Sequence, residues 1–137
     1  MMELIKEMLG KTMVSVNRDG DESLTFIDSE ATQYRFEHDQ DCCEDVSIED
    51  VCGNLDDLVG SPLIMAEVVT SDENPEGVNL ESQDSFTWTF YKFATIKGYV
   101  TVRWYGESNG YYSESVDLHI TPAPGDGGEH ERESMVV

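Results

Sequence analysis

Three successive segments between residues 86 and 120 alternate apolar and polar side chains. In residues 86–93, Phe86, Trp88 and Phe90 fall on one face and Thr87, Thr89 and Tyr91 on the other. After the turn IKG, residues 99–105 put Val100, Val102 and Trp104 inward and Thr101, Arg103 and Tyr105 outward. Residues 111–120 continue with Val116, Leu118 and Ile120 inward and Ser113, Ser115 and Asp117 outward. A period of two is the mark of an antiparallel sheet with one buried face.

The N-terminal half is more mixed. Residues 2–9 carry Leu4, Ile5, Met8 and Leu9 at helical spacing, stopped by Gly10, and predict a short helix. Strands are expected over 12–16, 23–28, 33–37, 46–51 and 63–70, the first two joined through the Asp-Gly of RDGD. Asn54 is placed to cap a single helical turn in GNLDDLVG, with Asp56 and Asp57 at its positive end. SDENPEGVNLESQD, residues 71–84, reads as a long polar loop. From residue 121 the chain becomes PAPGDGGEHERESMVV, whose Pro/Gly-rich polar character predicts disorder. The expectation is one α+β domain over residues 1–120. It would hold a twisted, mostly antiparallel sheet of roughly seven strands, a short N-terminal helix and one short internal helix.

Charge narrows the partners. The 137 residues include 29 acidic and 8 basic ones, a formal net charge of −21. Direct nucleic-acid binding draws its affinity from Lys and Arg displacing phosphate counterions, so this balance argues against it. No apolar run approaches the roughly 18 residues a membrane span needs, and no secretory leader is evident. Three cysteines, two of them adjacent, make a poor disulfide framework, which points to a reducing cytoplasm.

Two clusters could carry chemistry. HDQDCCEDVSIED, residues 38–50, combines a histidine, two cysteines and six carboxylates. Structural zinc wants two spaced ligand pairs, whereas Cys42 and Cys43 are adjacent and Cys52 follows alone. For an EF-hand start, Cys43 stands where an oxygen ligand belongs. Neighbouring carboxylates raise a thiol's pKa and suppress the nucleophilic thiolate. No metal, cofactor or catalytic residue is therefore assigned, and the stretch is expected to be a turn holding one buried cysteine.

Its carboxylates have another use. Asp39, Asp41, Glu44, Asp45, Glu49, Asp50, Asp56 and Asp57 are candidates for a partner-binding surface that imitates a phosphate array. The second cluster is RWYGESNGYYSES, residues 103–115. Arg103, Tyr105, Tyr111 and Ser113, with Tyr91 on a neighbouring strand, could hold a nucleotide by stacking and a charge-assisted phosphate contact. The same residue types also suit a protein interface.

The segments HDQDCCEDVSIED with GNLDDLVGSPL, and SFTWTFYKFATIKGYVTVRWYGESNGYYSESVDL, carry a likeness. With their DQDCCE and WYGxSNGYYSE motifs, they resemble a small family of unknown function found mainly in tailed-phage genomes and prophages. The likeness spans roughly residues 10–120 and transfers no catalytic role. It implies a small cytoplasmic phage protein that acts on its host by binding. The leading expectation is a non-enzymatic inhibitor of a host defence factor, its acidic face set against a basic protein surface. The alternative is a sponge for a nucleotide signal in the Arg103/Tyr105/Tyr111 hairpin. A second copy of the chain is a further candidate partner.

Overall fold

The computed structural model describes residues 4–40, 43–73, 85–108, 113–123 and 133–136. Two antiparallel sheets account for most of them. The first sheet has the order β1-β2-β3-β8-β9, formed by Met13–Asp19, Ser23–Asp28, Gln33–Glu37, Asp117–Thr121 and Glu133–Val136. The second has the order β4-β7-β6-β5, formed by Asp45–Cys52, Gly98–Ser108, Ser85–Thr95 and Met65–Ser71.

The α+β expectation is thus corrected to a mostly β fold. The helical pieces among the described residues are two four-residue 3₁₀ turns, Ile5–Met8 and Leu55–Leu58. The apolar spacing of residues 2–9 was real, since Ile5 and Met8 are buried, but one turn satisfies it. Helix nucleation is unfavourable, and so short a segment gains too few bonds to extend. Asn54 does cap the second turn, its side chain accepting the Asp56 N–H at 3.0 Å. The strand count also exceeds the expected seven. Part of the tail expected to be disordered, Glu133–Val136, pairs with β8.

The inner faces of the two sheets share one core. Leu24, Phe26, Tyr34, Phe36, Leu118 and Ile120 from the first meet Ile48, Val68, Tyr91, Phe93, Val100, Val102 and Trp104 from the second. Phe26 and Phe93 rings lie 4.8 Å apart and those of Phe36 and Tyr91 4.6 Å, so aromatic contacts tie sheet to sheet. The stretch before β1 also crosses between sheets, with the Gly10 N–H donating to the Leu63 carbonyl at 2.8 Å.

The alternation of β6 separates Tyr91 from the outward Arg103 and Tyr105 with which it was grouped. Trp88 pairs across with Tyr105 and Phe90 with Arg103, which puts them on the outer face, while Tyr91 and Phe93 face the core. Both faces of FTWTFYKF carry aromatics, and Trp88 is buried on the outer one, so the pattern fixes the period but not which side meets the other sheet. In β7 the expected inward set of Val100, Val102 and Trp104 is the buried one.

Candidate functional site

At one end of the first sheet, β3 and β8 pair Glu37 with Asp117 and Arg35 with His119. Alternation sends Tyr34, Phe36, Leu118 and Ile120 into the core, so Arg35, Glu37, Asp117 and His119 share the other face. Two of these are nonetheless buried: Asp117 is 4% exposed and His119 8%. Buried charge-bearing groups need partners, and these have them. His119 Nε2 lies 3.2 Å from Asp39 Oδ2 and 4.0 Å from Glu37 Oε2. Arg35 Nε donates to Glu37 Oε1 at 2.8 Å, and the Asp39 N–H donates to Asp117 Oδ2 at 3.0 Å. Burial pushes the Asp117 carboxyl up, and the adjoining Asp39 carboxyl adds to this. The Asp39 N–H and the nearby His38 pull it down.

Beside this cluster opens a polar cavity of about 490 Å³. The β1–β2 hairpin contributes Asp19, Asp21, Glu22 and Ser23; β3 and its exit contribute Arg35, Glu37, His38 and Gln40; β4 contributes Asp45 and Ser47. The Ile48 N–H donates to the Asp21 carbonyl at 2.7 Å and so fastens the hairpin to the second sheet. Ser23 is 2% exposed, and its hydroxyl has no hydrogen-bond partner among the described residues. One wall is held by a buried pair in which His38 Nε2 lies 2.6 Å from Glu44 Oε2, while Nδ1–H donates to the Ser115 carbonyl at 2.7 Å.

The residues singled out for partner binding divide. Asp39, Asp45, Glu49, Asp50 and Asp56 are exposed, and Asp57 is half-buried. Glu44 is buried against His38 and presents nothing to a partner. Asp41 lies outside the described residues. Within HDQDCCEDVSIED, where one buried cysteine was expected, the buried pair is His38 with Glu44; Cys43 is exposed, and Cys42 lies outside the described residues. Cys52 is an exposed free thiol, and Cys43 is disulfide-bonded, which corrects the expectation of unpaired thiols. Among described residues, Cys52 and Cys43 belong to no metal-competent cluster.

Of the residues singled out for a nucleotide, Arg103 and Tyr105 share the outer face beside Trp88, while Tyr91 turns into the core. Tyr91 is 1% exposed, and burial raises its phenol far above the usual range. Arg103 Nε donates to Glu49 at 2.6 Å, and its guanidinium sits 5.1 Å from the centre of the Trp88 ring. The Tyr105 hydroxyl donates to Glu107 at 2.9 Å, and Ser113 pairs with Ser115 at 2.5 Å. Tyr111 lies outside the described residues.

Sequence reasoning missed Glu37, Asp117 and His119 as site residues. Glu37 and His119 stand 82 positions apart. The available signal was local: Glu37 ends a predicted strand, and Asp117 and His119 are the outward polar positions of an apolar alternation. Which strands pair is not encoded in that period.

Fold and site together define an antiparallel β-sandwich with an acidic, histidine-containing cluster and a polar cavity at one end. Residues 6–118 match a family described as a domain of unknown function (DUF7448), and the chain belongs to that family. No curated protein and no solved structure matches it. Among the described residues, no helix is long and apolar enough to cross a membrane.

Proposed function

We propose that this protein is a non-enzymatic binding protein that covers a basic surface of another protein with its acidic one. In its fullest form, this reading makes it a phage-derived inhibitor working in the host cytoplasm. It would fill the nucleic-acid groove of a defence factor. The supporting observation is the fate of the cations. Lys11 pairs with Glu30, Arg35 with Glu37 and Arg103 with Glu49, while Arg18 and Lys97 donate to the Gly20 and Val59 carbonyls. Five of the eight basic side chains are thereby occupied within the chain. Asp45, Glu49 and Asp50 stand exposed along β4, an edge strand, and Asp56 follows on the next turn. Such an arrangement projects negative potential with little positive interruption, and it steers association toward a basic partner.

The test is a titration of the full chain and of a triple charge-reversal variant, Asp45, Asp50 and Asp56 to Lys. Each is run at low and high salt against basic nucleic-acid-binding proteins from the host. Partner affinity should fall steeply with salt and with charge reversal, mainly through slower association. Binding that ignores both changes would sink the reading. A parallel panel of cyclic nucleotides tests the sponge: capture lost in Arg103→Ala, with charge reversal silent, would replace one reading with the other.

A further inference from the structure

We propose that Glu37, Asp39 and His119 form a binding site for one divalent transition cation of the zinc class. The site is independent of the partner reading. The three residues offer two carboxylate oxygens and one imidazole nitrogen within 4.8 Å of one another. Zinc-type ions hold such atoms at about 2.0–2.2 Å in a tetrahedron, which sets neighbouring ligand atoms about 3.3 Å apart. His119 Nε2 already stands 3.2 Å from Asp39 Oδ2 and 4.0 Å from Glu37 Oε2. The Glu37 carboxylate must come closer, a movement that its long side chain can make by rotamer adjustment.

The surroundings fit the same role. Ligating carboxylates are usually fixed by hydrogen bonds from outside the metal's own shell. Arg35 Nε occupies Glu37 Oε1 and leaves Oε2 facing His119. Asp117 accepts the Asp39 N–H and fixes that residue's backbone at the strand exit. His119 is held on β8, paired to β3 on one side and β9 on the other, so its ring is carried by the sheet and not by a loop.

Directly across from Glu37 on β2 is Ser23, whose buried, unpartnered hydroxyl lines the cavity that Glu37 also lines. A polar atom left without a partner there marks space that an ion's bound water can complete. Asp39 has 62% of its side chain exposed, which gives an ion its path in from solvent.

The donor set also selects the ion. Imidazole with carboxylate suits zinc, iron or nickel, while calcium demands six to eight oxygens, and this cluster has two carboxylates to give. The carboxylates of the cavity itself are a different case. Among the described residues, Asp19, Asp21, Glu22 and Asp45 belong to no set of three ligand atoms within 4.8 Å.

The experiment is isothermal titration of the metal-stripped, untagged full chain with Zn²⁺, in 0.15 M salt with millimolar Mg²⁺ to suppress diffuse binding. Cys52→Ser, without reductant, serves as the background so that no free thiol of the described residues contributes. We expect one saturable equivalent, weakened at least tenfold in Asp39→Asn and in His119→Gln, and unchanged in Asp45→Asn. Asp39 is exposed, so its variant should keep the wild-type amide NMR spectrum, and the loss will report ligation and not misfolding. Zinc should also shift the His119 ring nitrogens in the background protein. Absence of a saturable equivalent, an affinity indifferent to Asp39→Asn, or an unmoved His119 ring would each overturn the site.

Discussion

His38 is clamped between two parts of the chain, its Nε2 lying 2.6 Å from the buried Glu44 carboxyl and its Nδ1 2.7 Å from the Ser115 carbonyl. A carbonyl only accepts, so Nδ1–H donates to Ser115, and Nε2 is the ring nitrogen that faces the Glu44 carboxyl. The pair fastens the exit of β3 to the entries of β4 and β8. Removing either partner breaks a buried contact between charge-bearing groups, which costs about 3 kcal/mol or more. Glu44→Ala and His38→Ala should therefore each lower the unfolding free energy by that order in urea titrations. The double variant should lose clearly less than the sum of the singles. Singles that each cost under about 1 kcal/mol would show that the contact contributes little.

This pair also shows what was legible in the sequence. HDQDCCEDVSIED announced itself as a stretch of concentrated polar chemistry, and the expectation of a turn there followed from the lack of metal-ligand spacing within it. The identity of the anchor did not, because Glu44 looks like any of its acidic neighbours until Ser115 arrives from 77 residues away. Strand positions were readable from period two, including the inward set of β7. The facing of β6 was not, since Phe86, Trp88 and Phe90 compete with Tyr91 and Phe93 for the core. A sandwich decides such a contest by which face meets the second sheet, a long-range fact. The helix over residues 2–9 failed for a different reason: its apolar spacing satisfies one turn as well as two.

Gly53 and Gly10 should respond differently to the same substitution. Both have positive φ, +113° and +79°, which alanine adopts at a cost of about 1–2 kcal/mol. Around Gly10 a new Cβ meets nothing within 4 Å, whereas at Gly53 it would sit 2.6 Å from the Tyr99 carbonyl oxygen. That oxygen belongs to the β7 backbone and cannot swing aside. Gly10→Ala should stay near the conformational cost, while Gly53→Ala should exceed it by about 1–3 kcal/mol of overpacking strain. Equal losses in thermal or urea unfolding would argue that β4 and β7 separate easily at this point.

Cys52 is exposed, yet it should be a sluggish nucleophile. Its thiol donates to Asp50 Oδ2 at 3.4 Å, and that bond, followed by desolvation and the Asp50 charge, raises its pKa above the usual thiol value. A raised pKa means less thiolate at any pH below it. Alkylation by iodoacetamide at pH 8 under non-reducing conditions should thus run several-fold slower than for an unperturbed cysteine, since the thiolate is the reacting species. Asp50→Asn should speed it, and the gap between the two proteins should close as pH rises past both pKa values. The readout is the labelled fraction at Cys52 by peptide mass spectrometry. A variant no faster than wild type at pH 8 would remove Asp50 as the cause.

The C-terminal strand carries the last prediction. Composition predicts that residues 121–137 bury almost nothing, so their removal should barely register. The structure instead pairs Ile120 with Glu133, His119 with Ser134, Leu118 with Met135 and Asp117 with Val136. Without β9, strand β8 becomes an edge, with a row of backbone donors and acceptors returned to water and open to pairing with another chain. A few net backbone hydrogen bonds put the loss on the order of 2 kcal/mol for deletion of residues 124–137. Urea unfolding of the full and shortened chains gives that number, and hydrogen exchange locates it. The amides of β8 that point toward β9 should lose protection on truncation, while those that point toward β3 should keep it. Unchanged stability together with unchanged exchange in β8 would mean that the sheet ends at β8 in solution.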